Sequence, residues 1–491
     1  MSWKDTAEPV LTRMPAVRRP EGHVPFKRKL GWTAGILVLY FFLTNVTLFG
    51  LETGGGDVFG RFRSILAGSS GSLLQVGIGP IVTASIVLQL LGGADLLGLD
   101  TQNNPRDQVL YQGLQKLLVV IMTALTALPM VFAGFLTVDS ALATELGISS
   151  GLLQWIIFAQ VFVGGILILF MDEVVSKWGV GSGIGLFIIA GVSQRMIGDL
   201  ITFPAVSPAD QWGFIPTWGR IILGRTETAS PLTPQGIEDI LINEGQLLAL
   251  FTTVSIFVIV VYAESVRVEI PLSNTRVKGA RGRFPVKLIY ASVLPMILVR
   301  ALQMNIQFVG RILNSQWAGM PAWLGVYDTD GNVISGFFYY LAPIQSPRDW
   351  MWFVGAGGGN SPLEIMTRVT VDLTIMIVGG AIFAIFWVKT TDMGPEATAQ
   401  QIHNSGMQIP GFRQNVRSIE RVLDQYIPQV TVIGGALVGL LAVGANMLGT
   451  IGGVSGTGLL LTVSITYKIY EEIAEEQLKE MHPMMRQMFG D

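Results

Sequence analysis

The sequence predicts an all-α, polytopic membrane protein, and three observations carry that reading. Half of the 491 residues are apolar and only 14% are charged, against roughly 25% in a soluble chain. Mean hydropathy is +0.52. The apolar residues also gather into runs of about 20, the length that crosses a bilayer as a helix. Together these exclude a cytosolic enzyme of two or three soluble domains, which length alone would suggest. The chain has no cysteine, which excludes disulfides, thiolate metal sites and cysteine nucleophiles. With 32 Lys+Arg against 35 Asp+Glu, the total charge says little, and the placement of the charges carries the information.

From Met1 to Leu30 the chain is polar, with Arg13, Arg18, Arg19, Lys27, Arg28 and Lys29 and no apolar core ahead of them. Residues 1–29 therefore read as a cytosolic tail and not as a cleavable signal. Spans follow at about 30–50, 76–92, 113–136, 151–171, 183–203, 246–264, 286–308, 365–388, 428–448 and 453–470. The second is short and follows a Gly-rich, half-polar stretch, Gly60 to Gly71. Irregular backbone at membrane depth is tolerated only when buried in protein or lining a wet cavity. That stretch is either an outer loop or a broken half-helix inside the protein.

Lys and Arg counted by loop give the orientation. With the tail inside, inner segments hold Arg106, Lys177, Arg267, Arg276, Lys278, Arg281, Arg283, Lys287, Lys389, Arg413, Arg417, Arg421, Lys468, Lys479 and Arg486. Outer loops hold Arg220, Arg225, Arg311 and Arg348, although two of them are long, about 204–245 and 309–363. Both termini are expected to be cytoplasmic. Ten spans divide into an N-terminal half, 30–205, and a C-terminal half, 206–472, with a cytosolic tail at 473–491. An odd number per half inverts the second relative to the first, as in many transport proteins.

Little in the sequence supports catalysis. Gly453-Val454-Ser455-Gly456 matches the Gly-x-Ser-Gly of intramembrane serine proteases, but His23, His403 and His482 all lie in cytosolic segments. A serine nucleophile needs its base within hydrogen-bond reach, so a tight turn at a helix start is the better reading. Ionisable residues within or at the edge of spans are few: Arg195, Arg300, Asp372, Asp172 and Glu173. That is thin for an ion-coupled pump. A conduit lined by apolar side chains, gating by dewetting, fits better. Two glycine-rich helix starts each place aliphatic residues four apart, Ile78/Val82 and Ile184/Ile188. One helical face carries each pair; spacing alone favours helix packing over pore lining.

These segments resemble the SecY family, the central subunits of protein-conducting translocons. The resemblance runs along nearly the whole chain, strongest at 75–91, 172–194, 261–272, 383–391 and 456–470. Val268-Glu269-Ile270-Pro271-Leu272 and His482-Pro483 are similar to archaeal members. The resemblance implies ten helices in two inverted five-helix halves around a central, hourglass-shaped pore. It implies a constriction ring of Ile78, Val82, Ile184, Ile188, Ile297 and Leu461. It implies a plug at about 57–71, including Phe62, Ile65 and Leu66, which favours the broken half-helix. Thr83, Thr126 and Asn305 fall where the family has a polar cluster at its lateral gate. Cytosolic loops 265–285 and 389–426 match those that dock on the ribosome, through Arg276, Lys278, Arg281, Arg283, Arg413 and Arg417.

The implied partners are small single-span SecE-type (gamma) and beta-type subunits, the ribosome with its RNA, signal sequences, nascent chains and membrane lipid. No cofactor or metal is implied. An inverted-repeat transporter of a small solute is the alternative. One further expectation comes from the residues themselves. Arg300 and Asp372 each lie about eight residues from the outer end of a span, roughly 12 Å deep at 1.5 Å per residue. An unpaired charge there costs on the order of 2 kcal/mol or more. Arg300 either pairs with Asp372 or faces a wet outer funnel, and Arg368, four residues before Asp372, is a rival partner.

Overall fold

The computed structural model describes residues 3–22, 24–52, 67–93, 96–99, 104–203, 212–224, 233, 236, 238–243, 245–274, 281–289, 294–317, 319–328, 331–354, 360–391, 393–404, 407–408 and 415–481. Ten long helices correspond to the ten expected spans. In the N-terminal half they are α2 (Phe26–Thr44), α3 (Gly79–Gly93), α4 (Pro105–Phe132), α6 (Ser150–Trp178) and α7 (Gly183–Ile201). In the C-terminal half they are α9 (Leu247–Ser265), α10 (Leu294–Gln316), α12 (Pro362–Thr390), α14 (Val416–Leu448) and α15 (Gly456–Met481). Shorter helices are α1 (Trp3–Leu11), α5 (Ser140–Glu145), α8 (Phe214–Ile222), α11 (Phe337–Tyr340) and α13 (Pro395–Asn404).

Among the described residues, seven helices are long and apolar enough to cross a membrane by length and composition. The three others depart for physical reasons. Helix α2 opens on Lys27, Arg28 and Lys29, α15 ends in a charged stretch, and α3 has 15 residues. That is about 22 Å at 1.5 Å per residue, short of the roughly 30 Å hydrocarbon core. The deficit is met by a run of turns, Leu73 to Ile78, that is almost wholly buried. The chain can afford irregular backbone there because protein surrounds it: a Cβ on Gly164 of α6 would lie 1.9 Å from the Leu73 carbonyl oxygen.

The seventh span begins later than hydropathy suggests, at Leu294 and not near 286, because Val286 and Lys287 belong to a strand. Strands β1 (Arg267–Asn274) and β2 (Arg281–Lys287) form an antiparallel hairpin, with Val268 opposite Val286 and Ile270 opposite Phe284. A third strand, β5 (Met407–Gln408), adds to the far edge of β1, so both expected cytosolic loops contribute to one sheet. A two-stranded ladder, β3 (Val326–Tyr327) with β4 (Val333–Ser335), lies in the loop after α10. The fold is therefore mostly helical with two small sheets in its loops.

The N-terminal tail is folded, not loose. Helix α1 lies on the start of α4, with Lys4 Nζ 2.9 Å from Asp107 and Arg106 paired with Glu8. The chain that follows is gripped through its carbonyls: Lys116 donates to Pro15, Lys177 to Val17 and Trp178 to Arg18. Glu173 accepts from both lysines, at 2.7 and 2.6 Å. Lys29 at the start of α2 pairs with Glu476 near the end of α15 at 3.0 Å, so both terminal regions occupy one face.

Helices α12 and α14 cross closely through glycines. A Cβ on Gly439 would stand 2.4 Å from the Met376 carbonyl oxygen, and one on Gly435 2.6 Å from that of Gly380. Nothing lies within 4 Å of a Cβ on Gly444, one turn on. Gly439→Ala should cost about 1–3 kcal/mol, because a packed seam cannot absorb the methyl. Gly444→Ala should be neutral or stabilise by up to about 1 kcal/mol, the helix propensity difference. Thermal denaturation of the purified protein in detergent compares the two.

Candidate functional site

The residues expected to line a constriction come from four helices, two in each half, and from Ile78 just ahead of α3, and enter one hydrophobic cluster. Ile78, Ile188, Ile297 and Leu461 are at most 2% exposed, Val82 is also buried, and Ile184 is partly buried against the same cluster. The glycine-rich start of α7 has a packing explanation. Gly183 and Gly185 let the helix wedge in, since a Cβ on them would meet Asp172 Cα at 2.5 Å and Ile465 Cγ2 at 2.8 Å. Asp172 then accepts from the Ile184 amide at 2.9 Å, and Ser182 caps Gly185. The helix start that carries Ile184 and Ile188 is thereby fixed to α6.

Of the expected polar cluster, two members meet. Asn305 Nδ2 on α10 donates to Thr83 Oγ1 on α3 at 3.1 Å, bridging the halves. Thr126 does not join them through any bond of its hydroxyl described for α4: it donates to the Met122 carbonyl of its own helix at 2.8 Å. Around Asn305 the contact between halves is apolar, with Met304 and Phe308 of α10 packed among Ala127, Met130 and Val131 of α4.

Arg300 and Asp372 pair at 3.0 Å with both side chains 1% exposed. The pair, and not an open funnel, is what α10 and α12 build. Gln303 donates to the same Asp372 oxygen at 3.0 Å and accepts from Arg300 at 2.8 Å. The Ile344 amide donates to the other Asp372 oxygen at 3.2 Å, and Arg300 Nε donates to Thr457 Oγ1 of α15 at 3.3 Å. Asn446 of α14 exchanges bonds with the Thr457 hydroxyl and amide. Arg368 is no rival for the carboxylate: it donates to the Ala342 and Pro343 carbonyls at 3.0 Å and stacks on Tyr339. Gln303, Asn446 and Thr457 escaped the sequence reading, although polar residues inside apolar windows were the available signal.

Phe62, Ile65 and Leu66 lie outside the described residues, as do Arg276, Lys278 and Arg413. Ala67, which follows the first group, is buried: it is 1% exposed and its carbonyl accepts from Tyr40 at 2.8 Å. Arg281 and Arg283 stand on β2 opposite Ser273 and Pro271. Arg417 is exposed at the start of α14, where Asn415 caps its amide. Ser455 receives the Gly458 amide at 3.1 Å, the bond of a helix N-cap. His403 is on α13, where its neighbour Ile402 shares a buried cluster with the hairpin residue Ile270.

Two family models match, SecY over residues 72–470 and the plug domain of Sec61p over residues 38–71. The chain belongs to the SecY family. It is 72% identical to the protein translocase subunit SecY of Haloarcula marismortui over 492 residues, covering 100% of each chain. Among solved structures it is similar to a chain described as the structure of a protein conducting channel. That match has a TM-score of 0.79 and 36% identity, over 98% of this chain and 99% of the other. It is similar as well to Sec61 in the canine ribosome–channel complex from the endoplasmic reticulum. There the TM-score is 0.77 and identity 36%, with 98% and 99% covered. Ala67, buried in the α2-to-α3 connection, falls within the plug model's match.

Asn305→Ala and Thr83→Val each remove the one described side-chain hydrogen bond between α3 and α10. Each should destabilise the protein by about 1 kcal/mol, the net value of such a bond. The double variant should lose little more than the larger single loss, since the two act through one bond. Thermal midpoints of the four proteins in the cycle check this.

Proposed function

We propose that this SecY-family chain is the central subunit of a protein-conducting channel in the cytoplasmic membrane. It passes secreted polypeptides across and releases transmembrane segments sideways into lipid, with both termini cytoplasmic. The halves are residues 30–205 and 206–472, between cytosolic tails at 1–29 and 473–491. One observation carries the reading: aliphatic side chains from α3 and α7 in one half and from α10 and α15 in the other converge in a single buried cluster. Such a ring makes no demand for specific hydrogen bonds. A channel with many different cargoes needs that, because each buried polar group left unpaired costs about 1–3 kcal/mol.

Ile78, Val82, Ile184, Ile188, Ile297 and Leu461 form the constriction, and 57–71, with Phe62, Ile65 and Leu66, is the plug beyond it. The lateral gate is the α3–α10 seam with Thr83 and Asn305, and Thr126 lines its α4 side. Sorting into lipid then needs no catalysis. Leu-like residues gain about 0.3–0.6 kcal/mol in the membrane and central charges lose about 2.5–3.5. The chain is not an enzyme in this reading and uses no cofactor. SecE-type (gamma) and beta-type single-span subunits complete the channel against lipid. Arg276, Lys278, Arg281, Arg283, Arg413 and Arg417 meet ribosomal RNA, whose phosphates attract clustered cations.

Ile184→Ser and Ile297→Gly should raise the resting ion leak of the reconstituted protein and admit defective signal sequences, because the apolar seal is breached. Unchanged single-channel conductance in both would remove the ring assignment. Reversing Arg276, Lys278 and Arg413 to Glu should weaken ribosome binding most at low salt. It should also flatten the slope of log affinity against log salt by roughly 2 to 3 for three lost phosphate contacts. Ribosome pelleting across a salt series measures both.

A further inference from the structure

Helix α10 carries two stripes. Arg300, Gln303 and Gln307, spaced by three and four, share one face, and each bonds within the C-terminal half: Arg300 and Gln303 to Asp372, Gln307 to the Phe338 carbonyl at 2.8 Å. Ile297, Ala301, Met304 and Phe308 form the second stripe. Two of its members, Met304 and Phe308, share a buried cluster with Val76, Ala127, Met130 and Val131 of the other half, while Ile297 enters the central cluster. At about 100° per residue the stripes stand roughly a quarter-turn or more apart. One face ties α10 to its own half through charge-assisted bonds. The other meets the ring and the opposite half through contacts that are almost wholly apolar.

The polar stripe is also in register with the ring. Helix α10 runs outward from the inner face, and Arg300 follows Ile297 by three residues. Helix α15 runs inward, and Thr457 precedes Leu461 by four. Each polar residue therefore sits about 4.5–6 Å outward of the aliphatic residue on its own helix. The 3.3 Å contact between Arg300 Nε and Thr457 Oγ1 brings those two levels together. Behind them, Asn446 fixes Thr457 from α14, and the Ile344 amide fixes Asp372 from the outer loop.

We infer that the Arg300–Asp372–Thr457 network positions the C-terminal half's share of the constriction, holding Ile297 and Leu461 at one level. This rests on reading those two residues as part of the ring. Arg300, Asp372 and Thr457 touch no cargo in this arrangement and act through the helices that carry the ring. Thr457 is the decisive position, because it is fully buried, uncharged and joined to both Arg300 and Asn446.

The test is ion leak through the purified protein in planar bilayers, alongside its thermal midpoint. Thr457→Val, nearly isosteric but without the hydroxyl, should raise leak on the order of fivefold, as for coupled residues in one network. Thr457→Ser, which keeps the hydroxyl, should hold the seal. Asp372→Asn should leak as Thr457→Val does, and the double variant no more than the larger single. Where Asp372→Asn fails to accumulate, Gln303→Leu removes a neighbouring bond with the ion pair intact and should leak likewise. Ile297→Gly and Leu461→Gly separate the two readings. If they leak while Thr457→Val and Gln303→Leu seal normally, the positioning inference is overturned and the ring stands. If neither glycine variant leaks, the ring reading itself falls, and the positioning inference with it.

Discussion

A charge placed inside a membrane span has to be neutralised where it stands, because lipid offers no solvent to do it. Arg300 imposes that constraint on the C-terminal half. Its guanidinium needs a carboxylate, the carboxylate of Asp372 needs further donors, and Gln303 and the Ile344 amide supply them. Pairing one buried cation thus recruits α10, α12, α15 and the loop that holds Ile344, and through Asn446 also α14. Breaking such a pair by removing one partner typically costs about 3–5 kcal/mol, since the other charge stays buried. The C-terminal half is cross-linked by polar bonds in a way that resists shear.

The boundary between the halves is built differently. There the contact is aliphatic and aromatic, with Asn305–Thr83 as the polar link described between α3 and α10. Apolar contacts are non-directional, so surfaces held by them can part without leaving unpaired donors. A seam of this composition can separate and reseal against lipid or a hydrophobic segment at small cost. The helices behind it hold their arrangement by directional bonds.

The ten spans were legible because each is a sustained apolar run, and their order gave two halves of five. Where hydropathy misjudged an end, the cause was local. Helix α14 starts at Val416, twelve residues before its apolar window, since Arg417, Glu420, Arg421 and Asp424 mask an amphipathic turn pattern. The hairpin had a signal, the alternation Val268, Ile270, Leu272, but it lay within a basic loop and went unread. Depth arithmetic along two helices was enough to raise the Arg300–Asp372 pair as a possibility, because helical rise is fixed. Thr457 and Asn446 stand out as polar residues inside apolar windows, but their partnership is set by tertiary packing between α10, α14 and α15 and is not legible in the sequence. Thr126 shows the converse: a residue type suited to a cluster can instead satisfy itself on its own helix.

Helix α14 gives the molecule a continuous strut. Its N-terminal end, through Ile419, Leu423 and Ile427, shares a core with Ile270 and Val286 of the hairpin. Its C-terminal end carries Asn446, bonded to Thr457. Its 33 residues span about 50 Å without a break. Pro428 lies between those ends and removes one helical hydrogen bond without interrupting the helix. A push or twist on the sheet shared by the two inner loops would travel down this rod as down a pushrod. It would arrive at the end of α14 that carries Asn446, beside Thr457.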